Sequence, residues 1–171
     1  MGLAPHSDGV LGDVPGVTYL YVNESFVLFP FGTGLSYTTF DFEWLDGIAP
    51  LTLDAAALVA SPPSFGVNVT NVGAVASDVS AVAFFSSGAA GEPISECFDF
   101  ARASGVAPGA SVTLTFTLPP LVAARVSTAG VQAVAPGRYA VSVRGGAAVI
   151  TRELEVTGGE SVALFDYSTG R

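Results

Sequence analysis

Asp41 and Glu43 stand two residues apart in TTFDFEW. Carboxyl groups on one side of a strand are neighbours, and such a pair can divide acid and base duties when its surroundings separate the two pKa values. Here the alternation puts both on the polar face beside Thr39, where a solvated strand surface accounts for them and nothing nearby would raise a pKa. Glu92, Glu96 and Asp99 bracket Cys97, and with Asp78 they offer oxygen ligands for calcium. Their spacing lacks the glycine-centred loop of a dedicated site, so an acidic loop is the expectation. The one histidine, His6, excludes a histidine-based zinc cluster and gives little to build a Ser-His-Asp triad on. GTGLS matches neither the nucleophile elbow nor the dinucleotide fingerprint. Cys97, the single cysteine, has no internal disulfide partner and reads as a small buried apolar residue. No catalytic residue, metal site or cofactor motif emerges.

Composition narrows the field further. The 171 residues suit one domain with extensions, and with half of them hydrophobic and only 12% charged the chain is short of polar surface, a first hint of a covered face. A net charge of -9, with six scattered arginines as the only basic side chains, leaves no patch able to neutralise a phosphate backbone. Nucleic acid is excluded as a partner. No apolar run reaches the length of a membrane span, and MGLAPHSDGV has neither the basic start nor the hydrophobic core of a signal peptide. Asn23-Glu-Ser25 and Asn68-Val-Thr70 are glycosylation triplets, meaningful only in a secreted eukaryotic protein.

The elements that would position any site are strands. Phe40, Phe42 and Trp44 alternate with Thr39, Asp41 and Glu43, and the same period of two runs through Phe65, Val67 and Val69, through Val112, Leu114, Phe116 and Leu118, and through Tyr139, Val141 and Val143. SDVSAVAFFSS is apolar on both faces, as a central strand should be, and Ile150, Leu154 and Val156 align in a last one. Turns at Asn71-Val-Gly73, Ser87-Gly88, Ala107-Pro108-Gly109 and Ala135-Pro136-Gly137 punctuate them. Only Asp54–Ala60 has helical character, and it is short. The pattern predicts an all-β protein, a two-sheet sandwich with an irregular N-terminal extension.

That extension carries LFPFGTGLSYTTF, from Leu28 to Phe40. Pro30 cannot donate to a ladder, and Gly32 and Gly34 are poor helix formers, so the stretch is an irregular connector. Phe29, Phe31 and Tyr37 nevertheless need a surface to lie against.

Four blocks occur here in the order found in one family. PGVTYLYV (15–22) followed by LFPFGTGLSYTTF resembles the segment by which glycoside hydrolase family 3 enzymes, of the β-glucosidase and β-xylosidase type, leave their catalytic domains. VNVTNVG, CFDFARASGVAPGASVTLTFTL and VAPGRYAVSVRGG resemble the blocks that follow it in that family. Departures exist at Leu20, at Asp99 and at Ala83-Phe84-Phe85, and they blur the substrate subfamily rather than the strand pattern.

The resemblance implies an immunoglobulin/fibronectin type III-like β-sandwich of about seven strands over 37–157, preceded by a connector over 1–36 and followed by a polar tail over 158–171. It implies an accessory, stabilising role beside catalytic domains that act on β-glucosides or β-xylosides, since the family's nucleophilic aspartate lies in a barrel, and a barrel alone takes about 250 residues. Its partner would be those catalytic domains, its compartment extracellular, and it would need no cofactor. Phe29, Pro30, Phe31, Gly32, Gly34 and Tyr37 become candidates for docking between domains, with the glycines permitting close approach and Pro30 fixing a bend. In a competing reading the same rings cap the sandwich's own core. The alternative function is a stand-alone carbohydrate-binding or protein-interaction module, for which Phe84 beside Tyr21 or Tyr167 is the best ring platform the sequence offers.

Overall fold

The computed structural model describes residues 6–7, 13–14, 18–22, 27–89 and 92–170. A two-residue pair, β1 (His6–Ser7) with β2 (Asp13–Val14), stands at the beginning. The sandwich then follows as β3 (Phe40–Trp44), β4 (Leu51–Asp54), α1 (Ala55–Ala60), β5 (Ser64–Asn71), β6 (Ser77–Ser86), β7 (Glu96–Val106) and β8 (Ser111–Thr117). After it come α2 (Pro120–Ala123), β9 (Ala124–Val126), β10 (Val131–Val134), β11 (Gly137–Gly145), β12 (Ala148–Thr157) and β13 (Val162–Asp166). Among the described residues no helix is long and apolar enough to cross a membrane.

One layer is a five-stranded sheet in the order β4-β12-β11-β6-β7, and the other is a three-stranded sheet in the order β3-β5-β8. Within them only β4 runs parallel to its neighbour, β12. A small third sheet, β13-β10-β9, flanks the pair. It draws β13 out of the polar stretch 158–171, where alternation had announced no strand. The expected inward residues do meet between the layers: Phe42, Trp44, Phe65, Val67, Val69, Leu114, Phe116, Val141, Val143, Leu154 and Val156 are buried in one cluster. The helix forms where expected, with Asp54 as its N-cap accepting from the Ala56 and Ala57 amides at 2.9 and 3.4 Å.

Two polar side chains lie inside this apolar frame. Arg152 shares the inward face of β12 with Leu154 and Val156 and is 6% exposed. It reaches the β3–β4 loop, donating to both Asp46 carboxylate oxygens at 2.8 Å and to the Ala49 carbonyl at 2.7 Å. Asn71, fully buried at the end of β5, donates to the Val75 and Val106 carbonyls, each at 2.8 Å, and accepts from the Thr38 hydroxyl at 2.7 Å and the Gly73 amide at 3.0 Å. The Asn-x-Gly spacing follows from this knot. A Cβ on Gly73 would stand 2.1 Å from Thr38 Oγ1 and 2.9 Å from the Thr39 amide nitrogen, so only glycine lets the loop close over the exit of the connector.

Candidate docking surface

β6 is apolar on both faces because both are covered. Val79, Ala81, Ala83 and Phe85 point into the sandwich, whereas Phe84 points outward and is still only 2% exposed. What covers it is the N-terminal extension. Phe31 and Tyr19 stack on each other with centroids 4.4 Å apart, and both meet Phe84 edge-on, at 6.0 and 6.3 Å.

The backbone bends as this contact requires. The Thr33 amide donates to the Pro30 carbonyl at 3.0 Å, closing a turn in which Gly32 takes φ +85°. That conformation favours glycine, and the space does too: a Cβ there would meet the Phe84 ring at 3.3 Å and Arg144 Cδ at 3.4 Å. Arg144, outward on β11, donates to the Phe31 carbonyl at 2.9 Å while its guanidinium lies 5.4 Å from the Phe84 ring centroid. Upstream, the Ile94 amide of the β6–β7 loop donates to the Leu20 carbonyl at 2.6 Å. Downstream, Thr38 is held by Asn71.

Held at both ends, the connector turns the rest of its apolar side chains away from the sandwich. Leu28, Phe29, Leu35 and Tyr37 are 91%, 80%, 103% and 93% exposed. A cleft of about 310 Å³ opens between Tyr19, Val27, Phe29, Phe31, Ser95 and Arg144. A wider hollow of about 540 Å³ lies between Leu35, Tyr37 and the outer surface of β6, with Arg102 at its side. The structure thus divides the candidate rings: Phe31, half in and half out, returns onto Phe84, Pro30 and Gly32 are half-buried, and Phe29, Gly34 and Tyr37 face solvent. Leu28, Leu35, Tyr19, Phe84 and Arg144 join the same surface. For Phe84 the available signal was the doubly apolar run of β6.

The carboxylates are engaged elsewhere. Asp41 and Glu43 lie on the exposed side of β3. Glu92 and Glu96 both pair with Arg125, whose guanidinium also donates to the Val122 and Ala124 carbonyls. Asp99 accepts from the Thr117 amide at 2.9 Å, and Asp78 binds Arg102 and the Gly105 amide, which hold its carboxyl below the usual carboxylate range. Among the described residues no three potential metal ligands cluster. Cys97 is half-buried opposite Phe84, and burial pushes its thiol pKa up. Asn68 is half-buried in mid-strand, registered between Glu43 and Thr113, whereas Asn23 lies outside the described residues.

The ring platform for a sugar is corrected by this geometry. Phe84 is buried beneath the connector and Tyr21 is half-buried. Tyr167 pairs instead with Phe165, at 4.8 Å and crossed at 69°, so the two rings present no shared flat face.

Two facing, mainly antiparallel layers entered through an aromatic connector define the class, a fibronectin type III-like β-sandwich with an N-terminal extension. No family model matches the chain. Curated relatives do: the exo-1,4-β-xylosidase of Emericella nidulans is 33% identical over 169 residues, 92% of this chain and 21% of that protein. The probable exo-1,4-β-xylosidase of Aspergillus oryzae is 32% identical over 160 residues, 86% of this chain and 20% of its own length. Among solved structures, a family 3 exo-β-xylosidase in complex with a xylobiose aziridine probe superimposes with a TM-score of 0.73 at 25% identity, covering 95% of this chain and 22% of that one. The β-glucosidase of Listeria innocua shares the fold, with a TM-score of 0.65 at 22% identity over 77% of this chain and 18% of that one. This chain corresponds to the C-terminal fibronectin type III-like domain, with its preceding connector, of glycoside hydrolase family 3. It spans about a fifth of the length of the curated relatives it matches.

Proposed function

We propose that the chain is a non-catalytic accessory domain that stabilises the catalytic part of a family 3 glycoside hydrolase acting on β-xylosides or β-glucosides, docking through the connector over 28–37. The observation that carries this reading is the connector itself: four large apolar side chains stand almost fully exposed on a backbone anchored to the sandwich by Arg144 and Asn71. A solvent-exposed patch of that kind marks an interaction site, and the fixed backbone lowers the entropy lost on binding. Supporting this division of labour, the stretch matched in the relatives is about a fifth of each polypeptide, and about four-fifths of it lies outside the match.

The test is mixing. The chain is added to the catalytic part of a family 3 β-xylosidase cut before its own connector, and complex formation, thermal stability and turnover of aryl β-xyloside and β-glucoside are followed together. The expected result is a complex with raised stability or turnover, and no hydrolysis by the chain alone. Turnover by the pure chain overturns the accessory reading. Failure to bind, combined with retention on insoluble glycan, would make the sandwich an independent carbohydrate-binding module instead.

A further inference from the structure

Resting on the docking reading above, we infer that the docking face is wider than the connector and has a second bank on the sheet itself, formed by Phe100 of β7. The register sets one row of outward residues across four strands. Phe100 lies opposite Val82, Val82 opposite Arg144, and Arg144 opposite Val149. The connector crosses the middle of this sheet face, where Gly32 comes up to Phe84 and Arg144, and it leaves the β7 end bare. Phe100 there is 78% exposed. The other outward residues of β7 near it, Arg102 and Ser104, are polar, as alternation on a solvated face requires. An aromatic ring in their company is stabilised only when something covers it.

The hollow between Leu35, Tyr37, Val82 and Arg102 joins the two banks, since Val82 is the cross-strand neighbour of Phe100. Its occupant is the catalytic part of the family 3 polypeptide, presenting an apolar ridge with acceptor groups. Two features favour that occupant over a second copy of this chain. Each copy carries a net charge of -9, so contact between two copies is made against their mutual repulsion and is the weaker of the two. The row itself carries Arg144, and the one carboxylate beside the hollow, Asp78, is already paired with Arg102, so this end of the sheet is less acidic than the end of β12 that bears Glu153 and Glu155.

The experiment compares the full chain with Phe100→Glu, Phe100→Ser, Tyr37→Glu and, on the flanking sheet, Val126→Ser, measuring affinity for the same truncated β-xylosidase and the urea midpoint of each chain. Both Phe100 variants are expected to keep the parent midpoint, and Phe100→Glu to bind at least tenfold more weakly, while Val126→Ser binds as the parent does. If Tyr37→Glu loses binding and Phe100→Glu does not, the connector docks alone and the second bank is refuted. If the parent chain itself does not bind, the docking reading falls and this inference with it.

Discussion

Arg144 and Phe84 together seat the connector on the sandwich: the guanidinium lies 5.4 Å from the ring centroid and its Nη1 holds the Phe31 carbonyl at 2.9 Å. Arg144→Ala removes the hydrogen bond and the stacked cation at once. Arg144 is half-buried over the buried Phe84 ring, so the expected loss is about 1–2 kcal/mol, most of it local to residues 27–36. Limited proteolysis should show faster cleavage in the connector with a nearly unchanged global melting point. Arg144→Lys should resemble the alanine variant, because an ammonium cannot lie flat on Phe84 while reaching Phe31.

Asn71 ties the connector exit to the β5–β6 loop and to the end of β7, and both its amide hydrogens and its oxygen are used. Asn71→Ala leaves two buried carbonyls and two donors unmatched, and the cost is expected to be on the order of 3 kcal/mol. Asn71→Asp should fare no better at neutral pH, since a carboxylate faces the carbonyls of Val75 and Val106 without a hydrogen to give. The measurement is the denaturant midpoint of the three chains at equal slope.

How much of this was legible depends on what each residue answers to. Strands β3, β5, β8, β11 and β12 show their faces through a period of two, and burial follows it, whereas β6 reads as doubly apolar because the connector also covers Phe84. β7 hides that period because its register against β6 shifts between Ala83 and Phe84. The short β4, β9, β10 and β13 owe their form to distant partners, as β4 does to the parallel edge of β12. For the candidate surface, composition marks the connector as apolar but cannot say which ring turns back. Phe31 does so because Phe84 and Arg144, more than fifty residues away, receive it. Arg152 is concealed for the same reason, since a charge in an inward position makes sense only once Asp46 is seen to meet it.

The Asp46–Arg152 pair sets an acid limit on stability. Hydrogen bonds from Arg152 hold the Asp46 carboxyl below its ordinary range, so the folded state binds this proton less readily than the unfolded chain. The contribution is therefore complete above the ordinary carboxylate pKa of about 4 and fades as pH falls through the lower folded value. Asp46 is itself largely exposed while Arg152 is buried, so water screens the pair from one side and the effect is modest. Comparing urea midpoints of the parent and Asp46→Asn, the gap should be widest at neutral pH and narrow as pH falls below about 4, through the lowered folded value. No gap between the two chains at any pH would assign the loop's stability to the Ala49 carbonyl bond instead, which both chains keep.

The exposed row on the connector should govern how the isolated chain behaves in solution. Leu28, Phe29, Leu35 and Tyr37 make few contacts with the sandwich, so replacing Leu35 and Tyr37 by serine removes little that holds the fold together, and surface changes of this kind usually stay within about 0.5 kcal/mol. The same change takes away the apolar surface through which two isolated chains can meet when no catalytic part covers it. Leu35→Ser/Tyr37→Ser is expected to raise the concentration at which sedimentation first detects oligomers, with the melting point held. The double variant should simultaneously lose affinity for the truncated β-xylosidase, because one surface serves both contacts. Improved solubility with undiminished affinity would separate the two, and would move the docking contact to the Tyr19, Phe29 and Phe31 cleft.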